Sequence, residues 1–447
     1  MNGVNPRLLR SYDLRGVVGE DLTDADARAL GLRVAGAARR GRVAVGYDGR
    51  LSSPAIADAL CAGLAAGGAA ALAIGLGPTG MLYHATHALD CDAGVMVTGS
   101  HNPPDQNGFK TVIGGEPVYG GALKALIGRD AEPMADGSVA TAAVEDGYVA
   151  RLLAAAAAAG AAGLRVGWDP GNGATGDVVA RLVAALPGKH RVINGAIDGR
   201  FPAHHPDPSV PANLDQLRVL VRDEGLDLGI AFDGDGDRIG VVDADGAIVW
   251  PDQLLLLLGR DVLRDRPGAT IVGDVKSSRV LFDGIGAAGG RAVVSPSGYV
   301  LVRAAMLREG APLAGEMSGH IFYADRWPAN DDALHVAMRL LAALGRDGGS
   351  LAEFRRSLPE TFATPELRLP CPDADKTSVL ARVAAGLDGA VDRTDGLRVT
   401  TDDGWWLLRA SGTEPKLTAR VEGWTAAARE RLTGELYARL RAAGWAG

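Results

Sequence analysis

The sequence predicts an α/β protein: three similar mixed-sheet α/β domains followed by a smaller C-terminal α+β domain. Three observations carry that prediction. An alternation of strands and helices begins near residue 42 and restarts near 164 and near 270. Beyond about Pro359 it gives way to a different mixture of strands and helices. At about 150 residues per domain, a chain of 447 residues allows two to four domains.

In order, Arg42–Gly46 is a short apolar strand ending in the turn Tyr47-Asp-Gly-Arg50, and Ser53 with Pro54 is placed to start a helix. Strands follow at Ala71–Ile74 and Gly94–Val97, and a Gly-rich, acidic stretch at 130–147 marks a boundary. The second restart has a strand at Leu164–Trp168, a Gly-rich loop to Gly176 and a helix to about Leu186. Strands Leu226–Phe232 and Ile239–Val242 flank an acidic loop, and Asp245-Gly246 is a hairpin turn into Ala247–Trp250. The third has a strand at Thr270–Asp274, a helix from about Ser277 and a strand at Ala292–Val294. The last region offers strands at Glu366–Leu369, Gly404–Leu408 and Leu417–Val421, with helices near 376–387 and 425–443. The expected domains are 1–145, 146–248, 249–360 and 361–447.

Composition narrows the function. Net charge is −8, so a general nucleic-acid binder is not expected, and an anionic substrate would need locally gathered cations. Cys61, Cys91 and Cys371 show no metal or disulfide spacing, which suits a reducing cytoplasm. The first residues lack an apolar h-region, so no signal peptide is expected. Ala59–Tyr83 carries no charge and is long enough to span a bilayer, but six Gly and a Pro make it a helix–turn–strand of a soluble domain.

Four loops hold the chemistry. Asp233-Gly-Asp-Gly-Asp-Arg238 puts three carboxylates at spacing two between apolar strands, where they repel unless a cation sits among them. Hard oxygen donors favour Mg²⁺ or Ca²⁺. An EF-hand fails because Arg238 and Ala244 stand where Gly and Glu are required. Thr98-Gly-Ser-His-Asn-Pro-Pro104 presents Ser100 after a buried strand; His101, the next residue, is poorly placed as its base, and Lys110 lies ten residues on. Arg409-Ala-Ser-Gly-Thr413 is suited to cradle a phosphate. Gly315-Glu-Met-Ser-Gly-His320 offers groups that can bond sugar hydroxyls. Gly75-Leu-Gly-Pro-Thr-Gly80 formally matches a dinucleotide fingerprint, but Pro78 and the absence of a suitable acid make it a turn.

Together with Tyr12-Asp-Leu-Arg-Gly16, these loops occur in one order along the chain, and in that order the chain resembles the α-D-phosphohexomutases, specifically their bacterial phosphomannomutase/phosphoglucomutase branch. The resemblance implies four domains around one central cleft. It implies that Ser100 is carried as a phosphoserine, and that Asp233, Asp235 and Asp237 hold Mg²⁺ with a phosphoserine oxygen. Glu316 and Ser318 would read sugar hydroxyls, and Arg409, Ser411, Gly412 and Thr413 would hold the non-reacting phosphate. Tyr12, Arg238, Lys276, Tyr299 and His320 complete the implied substrate contacts, Tyr299 standing where many relatives carry a histidine.

The implied reaction moves a phosphoryl group reversibly between O1 and O6 of a hexose through a 1,6-bisphosphate, with glucose 1,6-bisphosphate as activator. Such transfer needs in-line positioning, charge neutralisation and exclusion of water. Arg15, Lys110 and Arg238 would supply charge, Lys110 and His320 would serve as general base and acid with Arg15 assisting, and Arg409 would latch the cleft. The Met within Gly315–His320 suits the mannose/glucose type, so dual activity is expected. The expected substrate is a hexose phosphate, with no nucleic-acid or membrane partner, in a cytoplasmic monomer or weak dimer. The alternatives are a phosphoglucosamine mutase of the same fold, a phosphatase using Asp233 or Asp235 as nucleophile, and a non-catalytic sugar-phosphate binder.

Overall fold

The computed structural model describes residues 3–135, 137–157, 163–325, 328–387, 391–411 and 415–445. The chain divides into two compact units, residues 1–261 with 318–355 and residues 262–317 with 356–447.

The first unit contains two mixed sheets. In the first, the strand order is Leu14–Val17, Gln106–Ile113, Ala93–Val97, Arg42–Tyr47, Ala70–Leu76, Ser138–Thr141. The inner strands run parallel, while Gln106–Ile113 is antiparallel to both of its neighbours. Ser138–Thr141 lies within the stretch expected to be a boundary, yet it adds a parallel edge strand beside Ala70–Leu76. Its four residues are exposed, so it carries no apolar pattern to reveal it.

Helices Asp24–Ala37 and Ser53–Ala66 pack on this sheet, the former started by a capping box between Thr23 and Asp26. They approach backbone to backbone. A Cβ on Gly63 would lie 2.1 Å from the Arg28 carbonyl, and one on Gly31 2.4 Å from that of Leu60. At these two positions glycine is therefore required by packing, whatever biases the overall composition. Ser53 does not cap its helix: Ser52 holds the cap position, and the Ser53 hydroxyl donates to Asp48 instead.

The second sheet has the order Ile248–Val249, Ile239–Asp243, Leu228–Phe232, Arg165–Asp169, Lys189–Val192. The Asp245-Gly246 hairpin forms as expected, with Asp243 Oδ1 accepting from the amides of Asp245 and Ala247. The short pair Ile321–Tyr323 and Asn330–Asp331 and the helix Ala333–Asp347 also belong to this unit.

In the second unit, strands Arg291–Ser295, Thr270–Asp274 and Leu313–Gly315 are parallel in that order. Ser278 caps helix Arg279–Ala287 through its side chain. The C-terminal sheet is antiparallel, running through Lys416–Gly423, Gly404–Ala410 and Leu397–Thr401. Alternation along Gly404–Ala410 sends Trp406 and Leu408 into the core under helices Asp373–Ala385 and Ala426–Ala442, while Trp405 and Leu407 pack with Val275. The cysteines are free, and no described helix is long and apolar enough to cross a membrane.

Candidate active site

The loop between antiparallel strands Ala93–Val97 and Gln106–Ile113 carries Ser100, which is buried and has a left-handed backbone at φ 48°. Its Oγ donates to Asp233 Oδ2 at 2.6 Å. It also lies 3.2 Å from His101 Nδ1. Burial first, then Arg238 and Arg15, hold the His101 imidazole well below its usual pKa, so it stays neutral.

Asp233 follows strand Leu228–Phe232, and the loop returns in register at Ile239. Asp233 Oδ1 accepts the amides of Asp237 and Arg238, both at 3.1 Å, so this carboxylate folds its own loop. The ligand-type oxygens of Asp233, Asp235 and Asp237 lie within 4.8 Å of one another, with all three side chains buried. The main chain here is crowded: a Cβ at Gly234 would meet the Ser100 carbonyl oxygen at 2.3 Å.

Thr79 begins the helix Thr79–Ala88. Its amide donates to the Asp235 carbonyl at 2.8 Å and its hydroxyl to Asp235 Oδ2 at 2.7 Å. The Gly75–Gly80 segment is therefore more than a turn, since it supports the acidic loop. Lys110 Nζ donates to Asp235 Oδ2 at 2.7 Å and also to Asp237 Oδ2.

The electrostatics follow from burial, from the crowding of the carboxylates and from the nearby cations, Lys110, Arg238 and Arg15. Burial and then the neighbouring Asp237 and Asp235 push Asp233 well above the usual carboxylate range. Asp237 is also raised, by burial and Asp235. Burial likewise acts to raise Asp235, but Lys110 and Thr79 outweigh it and hold it below its ordinary value. For Lys110, burial is opposed by Asp235 and Asp237, which hold the ammonium well above the ordinary lysine pKa. Asp235 Oδ1 and Asp237 Oδ1 remain buried without a hydrogen-bond partner among the described residues. Converging hard oxygens left short of donors fit a divalent cation.

Arg238 Nε donates to His320 Nε2 at 3.0 Å, and His320 Nδ1 lies 2.9 Å from Asp331 Oδ2. Arg15 pairs with Asp13 at 2.8 Å and is buried; Tyr12 and Ser318 are partly buried in the same unit.

The second unit gathers other expected residues. Lys276 Nζ lies 3.9 Å from Asp274, 3.7 Å from Glu316 and 3.8 Å from Glu366. Ser297 donates to Asp274 at 3.1 Å or to Glu316 at 3.2 Å. Burial raises Asp274, and Lys276 opposes it. Tyr299 opens the helix Tyr299–Arg308. Arg409 Nε donates to Asp395 Oδ2 at 2.8 Å, and the buried Ser411 offers its carbonyl to Lys376 at 2.8 Å. Gly412 and Thr413 lie outside the described residues.

Sequence reasoning missed Asp48, Arg50, Thr79, Asp331 and Asp395. Only the run Tyr47-Asp-Gly-Arg50 held a signal, since a buried strand ending in two opposite charges calls for a paired, satisfied site.

Models of the phosphoglucomutase/phosphomannomutase family match in chain order: α/β/α domain I at residues 6–130, domain II at 146–246, domain III at 250–362 and the C-terminal domain at 366–439. A phosphomannomutase/phosphoglucomutase of Pseudomonas syringae is 40% identical over 97% of this chain and 95% of its own. A phosphoglucomutase of Neisseria gonorrhoeae is 39% identical over 98% and 97%. The crystal structure of a phosphoglucomutase/phosphomannomutase family protein from Burkholderia thailandensis superposes with a TM-score of 0.91 at 37% identity, covering 98% of both chains. With the serine loop, the acidic loop and all four segments in one order, the chain belongs to the phosphoglucomutase/phosphomannomutase family.

Proposed function

We propose that the chain is a hexose-phosphate mutase interconverting the 1- and 6-phosphates of mannose and glucose, with Ser100 as phosphoryl carrier. The observation that carries this reading is the 2.6 Å contact between the Ser100 hydroxyl and Asp233 beside two carboxylate oxygens short of donors. The family segments support the domain division 1–145, 146–248, 249–360 and 361–447.

Asp233, Asp235 and Asp237, with an oxygen of phosphorylated Ser100, would hold Mg²⁺, which when bound neutralises charge on the moving phosphoryl group. The P–O bond to Ser100 Oγ breaks as a bond forms to the free sugar hydroxyl, giving the 1,6-bisphosphate. The other phosphate then returns to Ser100. Glucose 1,6-bisphosphate re-primes a serine that has lost its phosphoryl group.

Lys110, committed to Asp235 and Asp237, acts as a fixed cation rather than a base. His320 takes the proton of the attacking hydroxyl, its Nδ1 side facing Asp331 and its Nε2 beside Arg238. Glu316, Ser318 and Lys276 read the sugar, with Tyr12 and Tyr299 adjoining it. Arg409 and Ser411, with Gly412 and Thr413, hold the idle phosphate. A phosphatase with Asp233 as nucleophile is disfavoured, because one of its oxygens receives two amides and the other the Ser100 hydroxyl.

The test is Ser100→Ala, assayed on glucose 1-phosphate and mannose 1-phosphate with the bisphosphate present. Turnover falls by at least about a thousandfold while sugar-phosphate affinity holds. Undiminished turnover refutes the carrier. Faster turnover of glucosamine 6-phosphate than of either hexose phosphate assigns the chain to the glucosamine branch instead.

A further inference from the structure

The turn Tyr47-Asp-Gly-Arg50 has no part in the reaction described above, yet it holds the largest fully buried cation of the first unit. Arg50 points its guanidinium at the serine loop. Nη2 donates to the Ser100 carbonyl at 2.8 Å and to that of Asn102 at 2.6 Å. Nη1 donates to the Gln106 carbonyl at 2.8 Å and to that of Pro103. Asp48 anchors the arginine, accepting Nε at 3.2 Å and the Arg50 amide at 3.1 Å. The same carboxylate accepts the Thr98 hydroxyl at 2.8 Å and the Gly99 amide at 3.0 Å. Thr98 Oγ1 in turn accepts the Ser100 amide at 2.8 Å.

Two features show why the loop needs this. Pro103 and Pro104 have no N–H, so the loop has few donors of its own for its carbonyls. A guanidinium carries five N–H donors in a fixed fork, enough to serve several carbonyls from one side. Second, Ser100 holds φ at 48°, a conformation that costs energy in a residue with a side chain and lasts only where the surroundings impose it. Gly99 leaves the space: a Cβ there would lie 2.2 Å from Arg50 Cζ. The ring of Phe201 covers the guanidinium at 5.2 Å.

We infer that Arg50, anchored by Asp48, is a positioning residue that fixes the Ser100 loop in the geometry required for phosphoryl transfer. The inference rests on the reading of Ser100 as carrier. The Arg50 guanidinium donates to main-chain carbonyls, so it acts through the backbone of the residue proposed to carry the phosphoryl group. A lysine keeps the charge but cannot span the carbonyls, so Arg50→Lys loosens the loop without emptying the site.

The experiment uses the full chain with Arg50→Lys and Asp48→Asn, each verified as folded by circular dichroism. With saturating glucose 1,6-bisphosphate, kcat for Arg50→Lys falls about a hundredfold while KM for glucose 1-phosphate stays within about threefold. Asp48→Asn shows the same split at about tenfold. Amide exchange quickens across residues 99–106 and is unchanged in strand Arg42–Tyr47, and ³²P on Ser100 is lost to water faster than in the parent. The inference is overturned if both folded variants keep kcat within about threefold of the parent, or if lost protection spreads through the whole sheet. Ser100→Ala separates the two claims. Should it remain fully active, the carrier and the positioning role both fall; should it be inactive while Arg50→Lys is unimpaired, only the positioning role falls.

Discussion

Each unit holds a lysine among carboxylates, and the two are arranged differently. Lys110 sits in hydrogen-bond contact with Asp235, at 2.7 Å, and with Asp237. Lys276 stands 3.7 to 3.9 Å from Asp274, Glu316 and Glu366, beyond hydrogen-bond reach of each. The first lysine is spent on the acidic loop, yet that loop still has two buried oxygens without donors among the described residues. The second is held by longer-range attraction, with none of these carboxylates close enough to take its donors. On the proposed reading, the contrast separates a region that would hold a cation beside the moving phosphoryl group from one that would read hydroxyls. The Lys276 segment is fastened as the serine loop is, since Arg398 in the second unit donates to the carbonyls of Val275, at 2.6 Å, and Ser277, at 3.0 Å, with its guanidinium 3.9 Å from the Trp405 ring.

The contrast can be broken most directly at the acidic loop. Asp235→Asn, or chelation with EDTA, lowers kcat on the order of a thousandfold, and Mg²⁺ restores the chelated enzyme but not the variant. A Glu316→Gln change that lowered kcat as far would erase the distinction between the regions. Next in size, Arg398→Met leaves two buried carbonyls without their donor and costs about 3 kcal/mol in urea unfolding. Glu316→Gln follows, with kcat/KM for the sugar phosphate down about ten- to a hundredfold, mostly through KM.

The smallest effect concerns pH. Asp332 caps helix Ala333–Asp347 and receives the Tyr148 hydroxyl on both oxygens at 3.0 Å; burial raises its carboxyl to about 7. Arg151 and Asp331 are the charged groups that act on it. The folded protein keeps this proton up to about pH 7, whereas the unfolded chain releases it near 4. The stability it contributes is therefore complete below about 4 and is lost as pH rises through 7. Asp332→Asn retains the cap and removes that dependence, flattening the slope between pH 5 and 7 by at most about 1.4 kcal/mol per unit. Urea titrations at several pH values measure it.

Much of this was legible in the chain. Strands such as Leu228–Phe232 and Thr270–Asp274 announced themselves as apolar runs, and the three aspartates announced a charge problem that a cation among them would relieve. What escaped notice depended on contacts distant in sequence. Thr79 meets Asp235 across 156 positions and Arg50 meets the serine loop across about fifty, and no local pattern encodes either. Asp331 was hidden for a different reason, since a carboxylate beside another in a short strand looks like ordinary surface until His320 is folded against it. The edge strand Ser138–Thr141 lacked any apolar residue pattern to betray it.

The crowding of Gly234 against the carbonyl of Ser100 has a consequence for what position 234 tolerates. An added Cβ there would first meet main chain, the Ser100 carbonyl oxygen at 2.3 Å, which cannot swing aside as the end of a flexible side chain would. One methyl group at position 234 would prise the two loops apart.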